Sequence, residues 1–296
     1  MTPALQRPFG SVRLSCAKCR APLDWPDTAS GTVACSTCAF EYQLDGRFLR
    51  YNHDVLLFDR YRRKFLLNKV LNNNATISYM ASPEGSLSLA GRADVMHFRD
   101  YLEQHASAGR LLDIGCGLLE RPGYLDMRDD TRFEFFGLDP MDDHRFFGWR
   151  VTGCAELMPF ADAQFQTVVF ATSLDHVCEL DQAVRETARI LAPGGRVVIW
   201  MGDRAFGLLT RLRRRAGEIF RSLQRGYRTD RYVVYPDLTV LYRPAGAADP
   251  FHSYHEDPRK IERLMTRNDL AWVDTTRRNA DEVFLCFERR VPAQAL

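Results

Sequence analysis

Residues 111–127, LLDIGCGLLERPGYLDM, contain the glycine pattern that decides the fold class of this chain. An apolar run leads into Asp113, and Gly115 and Gly117 follow with the spacing that opens a dinucleotide-binding loop. Glu120 replaces the third glycine of that loop, and its carboxylate would repel a pyrophosphate. The pattern therefore predicts a parallel α/β sheet with a ligand site at the strand end, but it disfavours a polyphosphate ligand.

Apolar runs alternate with helical patterns from residue 110 onward. This rhythm is typical of a Rossmann-like α/β fold, in which crossover helices join parallel strands on both faces of the sheet. The last two runs are separated only by a short turn, so they predict a hairpin that makes the last strand antiparallel. We expect seven strands, in residues 110–115, 133–139, 149–154, 165–171, 196–201, 270–277 and 282–289.

The composition is that of an ordinary soluble globular protein, with 296 residues, 46% hydrophobic and 26% charged. The sequence has no run of eighteen apolar residues and no apolar signal-peptide core, so we expect a cytoplasmic protein. The formal net charge of +2 argues against a surface that is built throughout for nucleic acid.

Four cysteines near the start of the chain have the spacing of a zinc ribbon. Fifteen residues separate CAKC from CSTC, so the four thiolates can reach the corners of one tetrahedron. We predict a small module over residues 1–50 with structural zinc, and a redox dithiol or two disulfides are the alternatives. A closed set of four ligands disfavours catalysis by the metal. The predicted ligands are Cys16, Cys19, Cys35 and Cys38.

The chain after this module divides into a connection and a main domain. Apolar residues at helical spacing predict connecting helices in residues 51–108, and the turn formers of residues 72–86, NNNATISYMASPEGS, predict a break between them. We assign residues 109–296 to the main domain, with residues 203–258 as a lid-like insertion.

Acids at the ends of two successive strands favour a cationic nucleoside as the ligand. Asp113 can attract positive charge, while Gly115 and Gly117 allow close approach of the backbone. S-adenosylmethionine carries a sulfonium and an ammonium, so it fits better than a dinucleotide. Asp139 ends the next strand, where a carboxylate can accept hydrogen bonds from ribose hydroxyls.

Five motifs, LLDIGCG, GLDP, AELMPF, SLDHV and LAPGGRVVIW, occur in this order within residues 109–201. In these motifs the chain resembles the class I S-adenosylmethionine-dependent methyltransferases, particularly the small-molecule group that includes quinone-biosynthesis enzymes. The cysteine-containing module resembles those found with certain bacterial RNA methyltransferases. The resemblance implies S-adenosylmethionine as cofactor, bound by Asp113, Gly115, Cys116, Gly117, Asp139, Pro140, Ala155, Glu156 and Ser173.

Three residues depart from the pattern of that family. Leu119 replaces a third glycine, Gln166 replaces an acid, and Cys154 replaces the acid that usually faces the adenine amino group. Because a thiol is a weak acceptor, the resemblance implies that Ala155 and Glu156 hold the adenine edge, chiefly through backbone groups. A non-catalytic binding module remains an alternative.

Three histidines are candidates for the chemistry. The resemblance places His176 where a residue faces the transferred methyl group, and an imidazole suits a base at neutral pH. His252 and His255, three residues apart, could line the acceptor pocket or bind a metal together. Packing or surface roles are the alternatives for all three.

Residues 204–231 contain nine arginines, together with apolar residues at helical spacing. They predict a helical lid with a solvated basic face, and contact with a membrane surface or with phosphate groups is the alternative. RNA is the less favoured partner, because the segment has few aromatic residues and ATSLDHV lacks the motif of base-amine methyltransferases.

The first hypothesis for the function is therefore O-methylation of a small molecule or glycan. The second is methylation of an RNA base, with the ribbon binding the RNA. The sequence does not predict an oligomeric state.

Overall fold

The computed structural model describes residues 9–23, 30–81, 91–202, 232–234, 240–242, 257–278 and 282–291. Within these residues one sheet of ten strands has the order β1-β2-β3-β6-β5-β4-β7-β8-β12-β11, and β9 pairs separately with β10. The strands are β1 (Ser30–Ala34), β2 (Glu41–Asp45), β3 (Phe48–Tyr51), β4 (Gly109–Ile114), β5 (Phe133–Asp139), β6 (Trp149–Thr152), β7 (Phe165–Ala171), β8 (Leu191–Gly202), β9 (Tyr232–Val234), β10 (Val240–Tyr242), β11 (Leu270–Arg278) and β12 (Glu282–Arg289).

Parallel strands form the centre of the sheet, which confirms the Rossmann-like fold. β4 pairs in parallel with β5 on one side and with β7 on the other, so the strand order reverses at β4. The β4 residues from Leu111 to Ile114 are all buried, as is usual for a strand covered on both faces. The carboxyl end of β4 is therefore the topological switch point at which such sheets bind ligands.

The predicted hairpin at the end of the chain is also confirmed. β12 runs antiparallel to β8, and β11 runs antiparallel to β12 at the sheet edge. All seven predicted strands are present, but the prediction of a seven-stranded sheet is wrong. The cysteine-containing segment adds β1, β2 and β3, because β3 pairs in parallel with β6 and thereby extends the sheet. Short strands next to two cysteine turns carry too little periodicity to predict this pairing.

Four helices lie among the described residues: α1 (His53–Ala81), α2 (Ala93–His105), α3 (Leu180–Ile190) and α4 (Pro258–Arg267). α4 begins where the sequence signals a start, because Asp257 caps the amide of Arg259 at 2.9 Å and Pro258 occupies the first turn. Side chains of α2 pack with one face of the sheet in one buried cluster, whereas those of α3 and α4 pack with the other face.

The predicted break in the connecting helices begins too early. α1 continues through Ala81, and its irregular residue is Arg62, with φ of 24°. Polar side chains inside the helix form hydrogen bonds there: Asn72 Nδ2 donates to Asn68 Oδ1 at 3.1 Å, and Thr76 Oγ1 donates to the Asn72 carbonyl at 3.0 Å. Helix-internal bonding of this kind makes turn-forming residues tolerable within a helix. In the described part of the chain, no helix has the length and apolarity needed to span a membrane.

Candidate donor-binding site

The glycine loop follows β4 at the switch point and carries a buried carboxylate. Asp113 is fully buried, and its Oδ2 accepts a hydrogen bond from the hydroxyl of Tyr124 at 2.7 Å. Its other oxygen, Oδ1, is also buried and has no hydrogen-bond partner among the residues that the structure describes. Burial raises the pKa of Asp113 to about 7, and the negative charge of Asp139 adds to the effect. A cationic ligand group that reached Oδ1 would remove this penalty.

The two glycines of the loop meet different surroundings. Gly115 has φ of 84°, and a Cβ there would lie 2.3 Å from the Cβ of Ser173. Gly117 has φ of 70°, yet a Cβ there would meet nothing within 4 Å. Both positions use the left-handed region that favours glycine. Gly115 is therefore needed for packing against Ser173, whereas Gly117 borders open space in which a ligand can lie.

Asp139 ends β5 and fixes the neighbouring loops. Its Oδ2 accepts from the Gly117 amide at 2.8 Å, and its Oδ1 accepts from the Met141 amide at 2.8 Å. Burial raises the pKa of this carboxyl group. Each carboxylate oxygen retains a further lone pair, so ribose hydroxyls can still bind. Because Gly117 already donates its amide, this amide does not form part of a phosphate cradle. The exposed Pro140 lies between Asp139 and Met141.

Arg150 on β6 is a functional residue that the sequence did not reveal. It is 1% exposed, and its guanidinium donates to the Gly117 carbonyl at 2.8 Å and to the Met141 carbonyl at 2.7 Å. It also donates to the sulfur of the buried Cys116 at 3.1 Å, so Cys116 faces the core. Arg150 stabilises the charged form of Asp139. Asp113 is a second buried carboxylate, however, so a single buried arginine cannot balance the charge of both. The site thus favours a cationic ligand.

The segment after β6 contains the residues predicted to hold the adenine edge. Cys154 and Ala155 are buried, and Glu156 is 2% exposed. The Glu156 carboxylate accepts from the amides of Cys178 at 2.5 Å and Glu179 at 3.0 Å, at the start of α3. Its side chain therefore connects two loops, and the backbone of the segment remains the predicted adenine contact. Burial raises the pKa of Glu156.

The loop after β7 places Ser173 and His176 at the same end of the sheet. The Ser173 hydroxyl donates to the Ile114 carbonyl, next to the glycine loop. His176 is partly buried in a short 3₁₀ turn, and its carbonyl accepts from Asn68 of α1 at 2.7 Å. Beside this turn lies a pocket lined by Thr172, Leu174, Asp175, Met201, Gly202 and Ile261. His176 thus lies in the loop at the carboxyl end of β7, and its role there stays a prediction.

Two predicted elements fall outside the described residues. These are His252 and His255, and the arginine-rich segment 204–231. The third departure from the family pattern, Gln166, lies at the opposite end of the sheet, where its Oε1 accepts from the Arg110 amide at 2.8 Å. Gln166 therefore supports the start of β4 and is not part of the donor site.

The four clustered cysteines meet in one place, although they come from two turns. Their sulfurs all lie within 4.8 Å of one another, and Cys16–Cys38 and Cys19–Cys35 are both 3.6 Å apart. Four sulfurs at about 2.3 Å from a single zinc would lie about 3.8 Å from one another. The two turns match, because the carbonyls of Cys16 and Cys35 each accept at 2.8 Å from the amide four residues later. The donor set and geometry therefore fit a tetrahedral metal.

Comparisons with known proteins match the part of the chain that contains this site. Residues 112–199 match the family model described as a methyltransferase domain. Methyltransferase GfsG of Streptomyces halstedii is 26% identical over 169 residues, which cover 50% of this chain and 61% of the relative. The ubiquinone/menaquinone biosynthesis C-methyltransferase UbiE of Hahella chejuensis is 47% identical over 45 residues, covering 15% of this chain and 18% of the relative.

Among solved structures, the chain is similar to N-methyltransferase NodS of Bradyrhizobium japonicum in complex with S-adenosylhomocysteine. The identity is 14% and the TM-score 0.45, with 74% of this chain and 98% of NodS covered. The chain spans 61% of the length of GfsG and 18% of that of UbiE. The residues that match the methyltransferase model contain the glycine loop, β5 and β7, and this match supports an enzyme.

Proposed function

We propose that this methyltransferase domain binds S-adenosylmethionine at the switch point and transfers its methyl group to an oxygen of a small molecule or glycan. The observation that carries the proposal is the unpaired Oδ1 of the fully buried Asp113, next to a second buried carboxylate, Asp139. A polyphosphate would be repelled there, whereas a ligand with a sulfonium and an ammonium would be attracted. The methyltransferase family match over residues 112–199 supports the same reading.

The residues of the site have separate tasks in this proposal. Asp113 attracts the cationic amino-acid end of the donor, Asp139 accepts from the ribose, and the backbone of Ala155 and Glu156 holds the adenine edge. When bound, S-adenosylmethionine supplies a methyl group that is already activated by the sulfonium. The protein then has to hold the acceptor in line with the methyl group, since correct alignment is the main contribution to catalysis of an in-line displacement.

We propose that His176 is the general base that removes the proton of the acceptor hydroxyl. Its turn follows Ser173, which contacts the glycine loop, and it adjoins the pocket lined by Thr172 and Asp175. A neutral imidazole there would accept the proton that the acceptor hydroxyl loses when it is methylated. His252 and His255 remain proposed residues of the acceptor side.

We also propose that the four cysteines bind one structural zinc. The support is the set of four sulfurs within 4.8 Å and the two matching turns. Tyr42 reinforces the cluster, because its hydroxyl donates to Cys16 Sγ at 3.4 Å and accepts from the Ala17 amide at 2.7 Å. Hydrogen bonds of this kind orient metal ligands.

The proposal is tested with S-adenosylmethionine that carries a trideuterated methyl group. The purified chain is incubated with extracts separated into small-molecule, glycan, membrane-lipid and RNA fractions, and products are identified by mass spectrometry. We expect a product seventeen daltons heavier in the small-molecule or glycan fraction, with the label on oxygen, and its loss in the variant His176→Ala. Label that appears only in RNA bases would contradict the proposal and favour the RNA hypothesis.

A further inference from the structure

The cysteine-containing segment reaches the donor site through Tyr51, the last residue of β3. The Tyr51 hydroxyl donates to the Leu157 carbonyl at 2.7 Å and accepts from the Cys154 amide at 3.3 Å. Its ring packs so closely on Gly153 that a Cβ there would lie 2.5 Å from it. Tyr51 therefore supports the segment that we assign to the adenine edge.

A chain of aromatic rings connects Tyr51 to the cysteines. The rings of Tyr51 and Tyr42 are 5.7 Å apart, and the Tyr42 hydroxyl bonds the sulfur of Cys16. Tyr51 and Tyr42 are both buried. The ribbon is therefore not a detached module, because its core continues to the loop after β6.

His53, two residues after Tyr51, places an imidazole at this junction. The residue is 7% exposed, and among the described residues neither ring nitrogen has a hydrogen-bond partner in good geometry. Its ring lies 6.0 Å from that of Tyr51, and its Nε2 lies 3.3 Å from Asp54 Oδ1. Burial lowers the pKa of His53, so the imidazole is neutral near pH 7 and offers one donor and one acceptor.

The environment of His53 indicates which ligand group it would meet. The ring of His53 neighbours that of Tyr51, which packs on Gly153. The Gly153 amide donates to the Asp139 carbonyl at 2.9 Å, so the imidazole lies at the edge of the sheet where β5 and β6 end. A buried polar group without a hydrogen bond destabilises the protein, because its lost hydration is not replaced. A ligand that forms a hydrogen bond with this group removes the destabilisation. A ribose presents hydroxyls that both donate and accept, which matches a carboxylate on one side and a neutral imidazole on the other.

We propose that His53 binds the donor by hydrogen bonding to its ribose, so that the end of β3 and the start of α1 complete the donor site through Tyr51 and His53. This inference rests on the proposed function, because it assumes that the site binds S-adenosylmethionine. It gives the ribbon a role in cofactor binding that a metal-stabilised module alone would not have.

The test compares His53→Phe with His144→Phe in the full chain. Phenylalanine keeps an aromatic ring beside Tyr51 but removes both ring nitrogens. His144 is a matched control, because it is 44% exposed at the side chain and its ring lies 4.8 Å from another ribbon aromatic, Phe48. Calorimetry with S-adenosylhomocysteine, adenosine, and 2′- and 3′-deoxyadenosine gives the affinities, and thermal unfolding monitors the fold.

We expect His53→Phe to weaken the binding of S-adenosylhomocysteine and of adenosine by the same factor, about tenfold, as for the loss of one hydrogen bond. The wild type and His53→Phe should bind one of the two deoxyadenosines with equal affinity, because that compound lacks the ribose hydroxyl that His53 contacts. His144→Phe should bind like the wild type. Unchanged affinity of His53→Phe, or weakening for S-adenosylhomocysteine but not for adenosine, would overturn the inference.

A second variant keeps the test valid if His53→Phe does not fold. His53→Asn retains an amide donor and acceptor, and it should bind adenosine more tightly than His53→Ala does. Equal affinities of these two variants and the wild type would overturn the role of His53. Failure of the proposed function looks different, because the wild type itself would then not bind S-adenosylhomocysteine, and the inference would fall with it.

Discussion

Asp113 is the residue on which the electrostatics of the donor site depend. Its carboxylate is fully buried, with Oδ2 bonded to Tyr124 and Oδ1 unpaired. With its pKa raised to about 7 by burial, the group is only partly charged at neutral pH in the absence of a ligand. A cationic ligand should therefore bind together with loss of a proton from Asp113 below pH 7.

Asp113→Asn tests this electrostatic role. An asparagine oxygen can still accept from Tyr124, so the fold should persist, while S-adenosylhomocysteine binds about ten- to a hundredfold more weakly, as expected for a lost charged hydrogen bond. In the wild type the affinity should rise from pH 6 to pH 8, and the variant should lack this rise. Calorimetry at both pH values measures the effect.

The half-exposed Asp142 provides the control, since Asp142→Asn should leave both the affinity and its pH dependence unchanged.

The raised pKa of Asp113 also predicts how the stability of the chain without ligand depends on pH. Because the folded chain holds the proton more tightly than the unfolded chain, Asp113 lowers the free energy of unfolding as pH rises from about 4 to about 7. Asp113→Asn should remove this decline, and a variant with wild-type pH dependence would contradict the assignment.

Gly115 gives a second prediction at the residue scale. Gly115→Ala places a Cβ at φ of 84° and 2.3 Å from Ser173, so both stability and affinity for S-adenosylhomocysteine should fall. Gly194→Ala is the matched control, because its φ is 72° but its nearest neighbour would be Val291 at 4.0 Å. Backbone strain alone costs about 1–2 kcal/mol, so Gly194→Ala should lose that much stability and no affinity. Equal effects in the two variants would contradict the role of Gly115.

The sequence predicts some residues of the site better than others. Asp113, the two glycines and Asp139 can be predicted because they lie in the last residues of buried strands or directly after them, and this position places them at the switch point. Tyr124, Arg150 and His53 are not visible in this way. Tyr124 and Arg150 act through side chains that cross between elements, and the position of His53 depends on the pairing of β3 with β6.

At the scale of elements, the ribbon strands protect an edge of the sheet. β6 would be an edge strand without β3, and an exposed edge offers unpaired backbone groups to other chains. Arg20 also anchors the first cysteine turn to the main domain, since its guanidinium donates to the Met158 carbonyl at 2.9 Å and lies 2.6 Å from Glu186. The cysteine cluster therefore stabilises more than its own segment.

Removal of the metal should accordingly affect both the ribbon and the sheet edge. We expect one zinc per chain by elemental analysis, and its removal by a chelator should lower the unfolding temperature. Hydrogen exchange should then rise in β1, β2 and β3, and less in β5. Cys35→Ser should have the same effect, whereas Cys178→Ala, outside the cluster, should retain the metal. A metal-free chain with native exchange in β1–β3 would exclude the structural role.

Some helices and strands can be predicted from the local sequence, and others depend on contacts with distant residues. Seven strands of the main domain were predictable because each contains an apolar run, and α4 because Asp257 and Pro258 mark its start. The short strands β9 and β10 were not predicted. The extent of α1 was not predictable, since the side-chain bonds of Asn68 and Asn72 depend on a helix that already exists. The addition of β1–β3 to the main sheet depends on pairing between residues about 100 positions apart in the chain.

In the whole molecule, the ribbon and the main domain share one sheet and one core. The buried cluster on the α3 face includes Cys16 and Tyr42 from the ribbon together with Leu157 and Phe160 from the main domain. The fold class follows from the sequence because the order of strands and helices leaves few arrangements of the chain. The identity of the acceptor does not follow, because no motif in residues 203–258 indicates its chemistry.

The most direct test of the account is calorimetry of the purified chain with S-adenosylmethionine, S-adenosylhomocysteine, NAD and ATP. We expect the first two compounds to bind at one site per chain, more tightly at pH 8 than at pH 6, and NAD and ATP to show no measurable binding. Binding of NAD or ATP without binding of S-adenosylmethionine would contradict it.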